Sequence, residues 1–408
     1  MRILFLHNNF PGQYARIVKY LEGKPGIEMV AGSLASNQQT SSIRQIGYKP
    51  HRTARDETHF ALRFTEKAVI QGQSVYQAFM TARKRGWAPD IILAHSGYGD
   101  SLFLKDLWPD AKVLSYLEWY YNFRESEAVF LKPESIDDPY LQLAVRMKNT
   151  VFLHDLAAMD WGQCPTPYQK SQIPEAFQDR ISLLHDGIDT EFFSPAPSAT
   201  VSIGDKTFRR GDPLISYVSR GMEPMRGFPQ FMEAASILLK ERPDAHVVVI
   251  GEDKIAYSTA RTDGRTYLEW ALEAFPVDRE RFHFLGKQPL AVLRDIFRVS
   301  AAHVYLTAPF VLSWSMMEAM STGALVIGSD TAPVRDIVSD GENGVLVPFF
   351  EPHRLAEQLC EALDHPGRFE TIRANARALM LERFDMRDLT KAHFNLIERV
   401  ANGQRRDI

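Results

Sequence analysis

Short apolar runs recur along the chain, separated by longer stretches in which apolar residues return every three or four positions. In the first half the runs Ile3–Leu6, Met29–Ala31, Ile91–Ala94, Lys112–Tyr116 and Ile181–Leu184 read as strands. In the second half the runs are Leu214–Val218, His246–Ile250, Phe282–Leu285, Ala302–Leu306, Leu325–Gly328 and Gly344–Val347. Strands alternating with helical patterns predict parallel α/β units. The clearest helix spans Phe228–Glu241, where Phe228, Phe231, Met232, Ala235, Leu238 and Leu239 share one face and Pro243 ends the pattern. Residues 194–213 are rich in Pro, Ser, Gly and charge, which predicts a linker. A last helix, Met386–Val400, gives way to the stop signal Asn402-Gly403. The expected organisation is a Rossmann-like domain over 1–193, the linker, a second Rossmann-like domain over 214–380, and a terminal segment, 381–408, packing back toward the first domain.

Composition narrows the classes. The chain has 408 residues, 45% hydrophobic and 24% charged, with a net charge of -4, which disfavours bulk nucleic-acid binding. Its two cysteines, Cys164 and Cys360, lie far apart, so a disulfide scaffold or structural zinc is not expected. The opening MRILFLHNNF is too short an apolar run for a signal peptide, and no window approaches the roughly 20 apolar residues of a spanning helix. The expectation is a soluble, cytoplasmic protein.

Three segments of the second half carry candidate chemistry. In YVSRGMEPMRGF, Arg220 follows a strand and Arg226 precedes the helix Phe228–Glu241. Two arginines there could clamp a diphosphate, or could be solvated loop residues. In APFVLSWSMMEAMSTGALVIGSD, Glu318 lies inside a short helix. Ser315-x-x-Glu318 is a capping-box pattern, and the alternative is a carboxylate that accepts both ribose hydroxyls. The third segment, Asp340-Gly341 with Asn343-Gly344, says only that a turn precedes a strand.

Order and spacing of the three together resemble the family 4 glycosyltransferases of the GT-B fold. Arg220…Arg226-Gly227 stands for R-x-x-x-x-K-G, with one extra residue in the gap and Arg for Lys. Glu318-Ala319-Met320-Ser321-Thr322-Gly323 stands for E-A-M-A-x-G, and Gly341-Glu342-Asn343-Gly344 for G-x-N-G. In the first half, His7–Gln13 resembles the glycine loop after strand one, and His185–Pro195 the segment between the domains. The resemblance implies two Rossmann-like domains facing across a cleft and retaining, metal-independent transfer from a nucleoside diphosphate sugar. It implies no cofactor beyond that donor. Donor contacts would come from Gly12, Arg220, Arg226, Leu312, Ser313, Trp314, Ser315 and Glu318, with catalysis resting on Arg220, Arg226 and Glu318. Two departures stand out. Phe310 occupies the position of the family's first glutamate, which contacts the donor sugar. Glu118 falls about where the family often has a histidine, and serves as general base or acceptor ligand. Gln13 and His95 join it as acceptor-side candidates.

Other chemistries find little support. There is no D-x-D, no H-E-x-x-H and no P-loop, and Gly97-Tyr98-Gly99 lacks the third glycine of a dinucleotide fingerprint. His95 ends a strand-like run where a cleft would open, although a structural histidine is the more ordinary reading. Between Arg44 and Arg85, nine basic residues stand against three acidic ones, with Phe60, Phe64, Tyr76 and Phe79 interleaved. A solvated face explains this, and so does peripheral contact with an acidic glycan or a lipid-linked acceptor at the inner membrane face. The rival classes are a GT-B protein that binds nucleotide sugars without turnover, and an epimerase or phosphorylase on the same fold.

Overall fold

The structure is a computed structural model that describes residues 1–124 and 127–404. It divides into two units, the first made of Met1–Gly187 with the segment from Met386 onward, the second of Ile188–Asp385. The first unit holds strands β1 (Arg2–Leu6), β2 (Glu28–Leu34), β3 (Arg44–Tyr48), β4 (Ile91–His95), β5 (Lys112–Tyr116), β6 (Trp161–Cys164) and β7 (Ile181–Leu183). They form one parallel sheet in the order β3-β2-β1-β4-β5-β6-β7. Alternation along β1 divides the core. Leu4 and Leu6 face a cluster with Val75, Phe79, Phe152 and Leu156 from the helices Arg63–Lys84 and Pro139–Ala158. Ile3 and Phe5 face the opposite cluster, where Ile17, Val18 and Leu21 meet Leu396, Ile397 and Val400 of the terminal helix Met386–Ala401. That helix therefore belongs to the first unit.

The second unit opens with an antiparallel hairpin, β8 (Thr200–Ile203) and β9 (Lys206–Arg209). Its parallel sheet contains β10 (Leu214–Gly221), β11 (His246–Glu252), β12 (Phe282–Phe284), β13 (Ala302–Tyr305), β14 (Val326–Ser329) and β15 (Val345–Val347). The order is β12-β11-β10-β13-β14-β15, the doubly wound arrangement of a Rossmann fold. All six apolar positions singled out on helix Phe228–Glu241 are buried, each contributing about 1.5–3 kcal/mol when large. Phe231 stacks on Tyr217 of β10 at 4.3 Å between centroids, so Phe231→Ala would cost about 3–5 kcal/mol.

Several expectations need correction. The segment 194–213 is no linker: it forms the β8–β9 hairpin and belongs to the second unit. Val201, Ile203 and Phe208 point inward while the intervening residues are exposed, a period-2 pattern hidden among turn formers. The units divide after Gly187 and again after Asp385, so 381–385 goes with the second. β3 and β6 were not expected; the first is a polar edge strand and the second, WGQC, has a buried but half-polar sequence. Among the described residues no helix is long and apolar enough to cross a membrane.

Candidate active site

In both sheets the strand order reverses beside the first strand of the Rossmann motif, between β1 and β4 in the first unit and between β10 and β13 in the second. Ligands of open α/β sheets bind outside the carboxyl ends of strands at such a switch point. In the first unit, His7 follows β1 and His95 ends β4, so the reversal places two histidines side by side. Their rings meet edge to face at 5.1 Å. Glu118, just beyond β5, brings its Oε2 to 3.5 Å from His95 Nε2. The Gln13 amide donates to Glu118 Oε1 at 3.2 Å. Gly12 turns back over His7 with φ +47, and a Cβ there would lie 2.7 Å from the His7 ring. Gly12, Gln13, His95 and Glu118, chosen from separate stretches of sequence, thus form one cluster.

Protonation in the cluster is set by its members. His7 Nδ1 accepts from the Asn9 amide at 3.0 Å, which fixes the tautomer, and burial followed by the neighbouring His95 pulls its pKa down to about 3. Burial also pulls His95 down, but the hydrogen-bonding and charge of Glu118 outweigh it and its pKa is raised. Burial pushes Glu118 up, and His95 more than reverses it, so the carboxyl stays below its ordinary range. Each member of the pair thus favours the charged form of the other, with a neutral His7 behind. Two buried amides, Gln169 and Asn149, and the half-buried Asn122 anchor the strand-end segment that carries Glu118. Gln169 donates to the Glu118 carbonyl at 2.7 Å, Asn149 exchanges two bonds with the Tyr121 backbone, and Asn122 donates to the Gln172 carbonyl at 2.8 Å. These glutamine and asparagine roles carry no sequence motif.

In the second unit the two arginines part company. Arg220 is exposed at the end of β10. Arg226 is buried, and its Nη1 donates to Thr307 Oγ1 and the Val311 carbonyl at 2.8 Å and to Tyr305 Oη at 3.3 Å. Its guanidinium also lies over the rings of Tyr257 and Phe310. Arg226 therefore braces the segment after β13 instead of standing open beside Arg220. Gly227, at φ +64, is the turn that permits this: a Cβ would sit 2.5 Å from Leu306 Cβ. Glu223, absent from the sequence reading, is fully buried, and its Oε2 accepts from the amides of Ala256, Tyr257 and Ser258.

Glu318 lies in helix Trp314–Thr322 and is 7% exposed. The residue that caps this helix is Ser313, not Ser315, so the capping-box explanation of Glu318 fails. Ser315 sits one residue inside, with its amide on Ser313 Oγ at 3.4 Å, and the Ser313 amide is taken by Tyr305 Oη at 2.7 Å. Leu312 and Ser313 are half-buried, and Trp314 is exposed. Phe310, in place of the family glutamate, is buried with its ring edge-on to Tyr257 at 5.1 Å.

The basic stretch does not form one face. Arg83, Lys84 and Arg85 stand at the far end of a 22-residue helix from Arg63 and Lys67, about 24–33 Å away at 1.5 Å per residue. Arg52 pairs with Glu66 at 2.6 Å, Phe79 is core and Tyr76 packs against it, while Phe60 is exposed and touches Tyr140.

Two parallel-sheet units, each with polar groups gathered at its switch point, define the GT-B type of fold. Comparison with known proteins agrees. Residues 25–193 match the glycosyl transferase family 4 group and residues 212–365 the glycosyl transferases group 1. Both halves of the chain thus match glycosyl transferase models. It is 30% identical over 196 residues to the D-inositol 3-phosphate glycosyltransferase of Corynebacterium glutamicum, covering 47% of this chain and 45% of that one. It is 22% identical to the alpha-maltose-1-phosphate synthase of Mycolicibacterium smegmatis, over 56% of this chain and 59% of the relative. The chain thus spans about half the length of the first of these curated relatives. Among solved structures, Anabaena Alr3699/HepE in complex with UDP-glucose superposes with a TM-score of 0.67 at 16% identity, covering 98% of this chain and 99% of that one. Sucrose-phosphate synthase from Thermosynechococcus elongatus gives 0.72 at 14% identity over 98% and 99%. At these identities the likeness speaks for the fold.

Proposed function

We propose that this chain transfers a glycosyl group from a nucleoside diphosphate sugar to an acceptor hydroxyl, with retention at the anomeric carbon and no obligatory metal. The observation that carries the proposal is Glu318, a carboxylate buried near the switch point of the second unit with no part in capping its own helix. In this reading Glu318 holds the ribose. Arg220 and the N-terminal end of helix Trp314–Thr322 face the leaving diphosphate, and Arg226 fixes the intervening segment. The Anabaena protein is bound to UDP-glucose, so UDP-sugars head the donor panel. The test is thermal stabilisation across nucleotide sugars, followed by product analysis with the donor that stabilises most. Failure of every nucleotide sugar to stabilise the protein would overturn the proposal.

Phe310 favours a second reading, a binding protein without turnover, because an apolar ring fills the place of a sugar-contacting carboxylate. Release of nucleotide from the stabilising donor separates the two: an enzyme releases it, a binder protects it. The acceptor is proposed to be a glycan or lipid-linked glycan. Peripheral contact would run through Phe60, Leu62, Arg63 and Lys67, where exposed apolar and basic side chains adjoin. Co-sedimentation with anionic and with neutral vesicles tests it, and equal, negligible binding to both removes the membrane contact.

A further inference from the structure

Within the cluster at the end of β1, β4 and β5, exposure is uneven. His95 is 2% and His7 9% exposed, whereas the Glu118 side chain is 29% exposed. Among the described residues, the polar side-chain contacts of the Glu118 carboxylate are Gln13 on Oε1 and His95 by Oε2. An ionised carboxyl offers about four acceptor positions, so both oxygens retain capacity for a hydroxyl donor. The His95 ring is itself held, with Nδ1 3.2 Å from the Ser96 carbonyl and its faces packed against Tyr98 and Tyr116 at 5.1 and 5.2 Å. The pair thus presents a fixed, partly open carboxylate on a segment that Gln169 and Asn149 hold still.

We infer that the Glu118–His95 pair is the acceptor-binding element of the first unit, that Glu118 accepts the hydrogen bond of an uncharged polyol such as a neutral sugar or cyclitol ring, and that His95 is the positioning residue behind it. The inference rests on the transfer reaction proposed above and adds the chemistry of the acceptor. A carboxylate in this place attracts a hydroxyl and repels a phosphate, so the ring that approaches Glu118 carries no anion of its own. On this reading the acceptor differs from the inositol 3-phosphate for which the Corynebacterium glutamicum relative is named. Other groups able to influence the pair are His7 from the loop after β1, Asp100 and Tyr98 from the loop after β4, Tyr116 on β5, and Asp155 on helix Pro139–Ala158. His7 is neutral, and Asp100 and Asp155 are engaged with Gln71, Tyr48, Ser101 and the Gly97 amide. None of them replaces the charge of His95 on Glu118.

The experiment is ligand-observed NMR titration of methyl glucosides, methyl mannosides, myo-inositol and D-inositol 3-phosphate against the wild-type chain, Glu118→Gln and His95→Gln. UDP-glucose binding serves as a parallel control. A neutral polyol should bind the wild type at least as well as the phosphate, and Glu118→Gln should weaken it about tenfold or more. His95→Gln retains a donor but loses the cation. Its polyol binding should therefore fall off at a higher pH than in the wild type, which a merely structural histidine would not produce. Control binding should be unchanged in both variants. Preference for the phosphate, equal polyol affinity in Glu118→Gln, or no polyol bound at all overturns the inference. Polyol binding that depends on Glu118 in a chain that ignores every nucleotide sugar would instead sink the transfer reaction and leave this site standing.

Discussion

The two units use the same topological opportunity in opposite ways. At the switch point of the first, the side chains are titratable and tune one another: burial keeps His7 neutral, while His95 and Glu118 each favour the charged form of the other. At the switch point of the second, the charge is a guanidinium that cannot titrate near neutrality, bonded to Tyr305, Thr307 and the Val311 carbonyl. One end is chemically adjustable and the other is a fixed electrostatic frame. In the transfer proposed above, the frame of the second unit would hold the diphosphate and the pair of the first unit would receive a hydroxyl.

The largest expected effect is on acid stability. Burial lowers His7, His185 and His303 to about 3 and His393 to about 4. Above pH 6.5 these rings are neutral folded and unfolded, and contribute nothing. Below it only the unfolded chain takes up protons, so stability falls, by about 2 kcal/mol per ring at pH 5. Asp100 and Asp155 act the other way: burial raises both to about 6, so the folded state binds protons first as pH drops. Their gain at pH 5 is about 1 kcal/mol each, too little to offset the histidines. Urea midpoints should therefore fall between pH 7 and pH 5, and a flat profile would show that the buried rings are not held neutral.

Next in size is the contrast between the arginines. Arg226→Ala should cut transfer by about 10²–10³-fold and also lower the melting temperature, because it strips donors from buried acceptors. Arg220→Ala should cut transfer with no change in melting, its side chain being exposed. Initial rates and melts on both variants decide this; equal melting loss would erase the distinction between frame and contact. Glu318→Gln should lower nucleoside diphosphate affinity about tenfold by calorimetry.

How far the sequence reaches is clear from particular residues. Helix Phe228–Glu241 and most sheet strands were legible because burial alternates or recurs with the period of the element. The β8–β9 hairpin was not, since its inward residues are diluted by Gly204 and Asp205 at the turn. Glu118 and His95 could each be suspected from position. Their pairing follows from β4 lying beside β5 with His95 opposite Tyr116, a register that no local pattern encodes. Ser313 rather than Ser315 as the cap is likewise a matter of where Arg226 and Tyr305 pull the preceding segment. The charge of 44–85 misled because a count along the chain ignores the length of the helix that separates its two ends.

The smallest expected effect is none at all, and it concerns metal. A departing diphosphate needs its growing negative charge balanced, and proteins do so with a divalent ion or with fixed cations and helix amides. The sequence has no D-x-D to present an ion, whereas the second unit sets Arg220 at a strand end and Arg226 beneath the segment that leads into helix Trp314–Thr322. If that frame carries the balance, EDTA should leave the transfer rate with the identified donor unchanged, and added magnesium or manganese should not raise it. The sharper version uses Arg220→Ala. In a metal-independent site the variant's lost rate stays lost when magnesium is supplied. Recovery of rate with the ion would mean that the second unit can accept a metal in place of its arginine, and the contrast between a fixed frame and an adjustable pair would have to be redrawn.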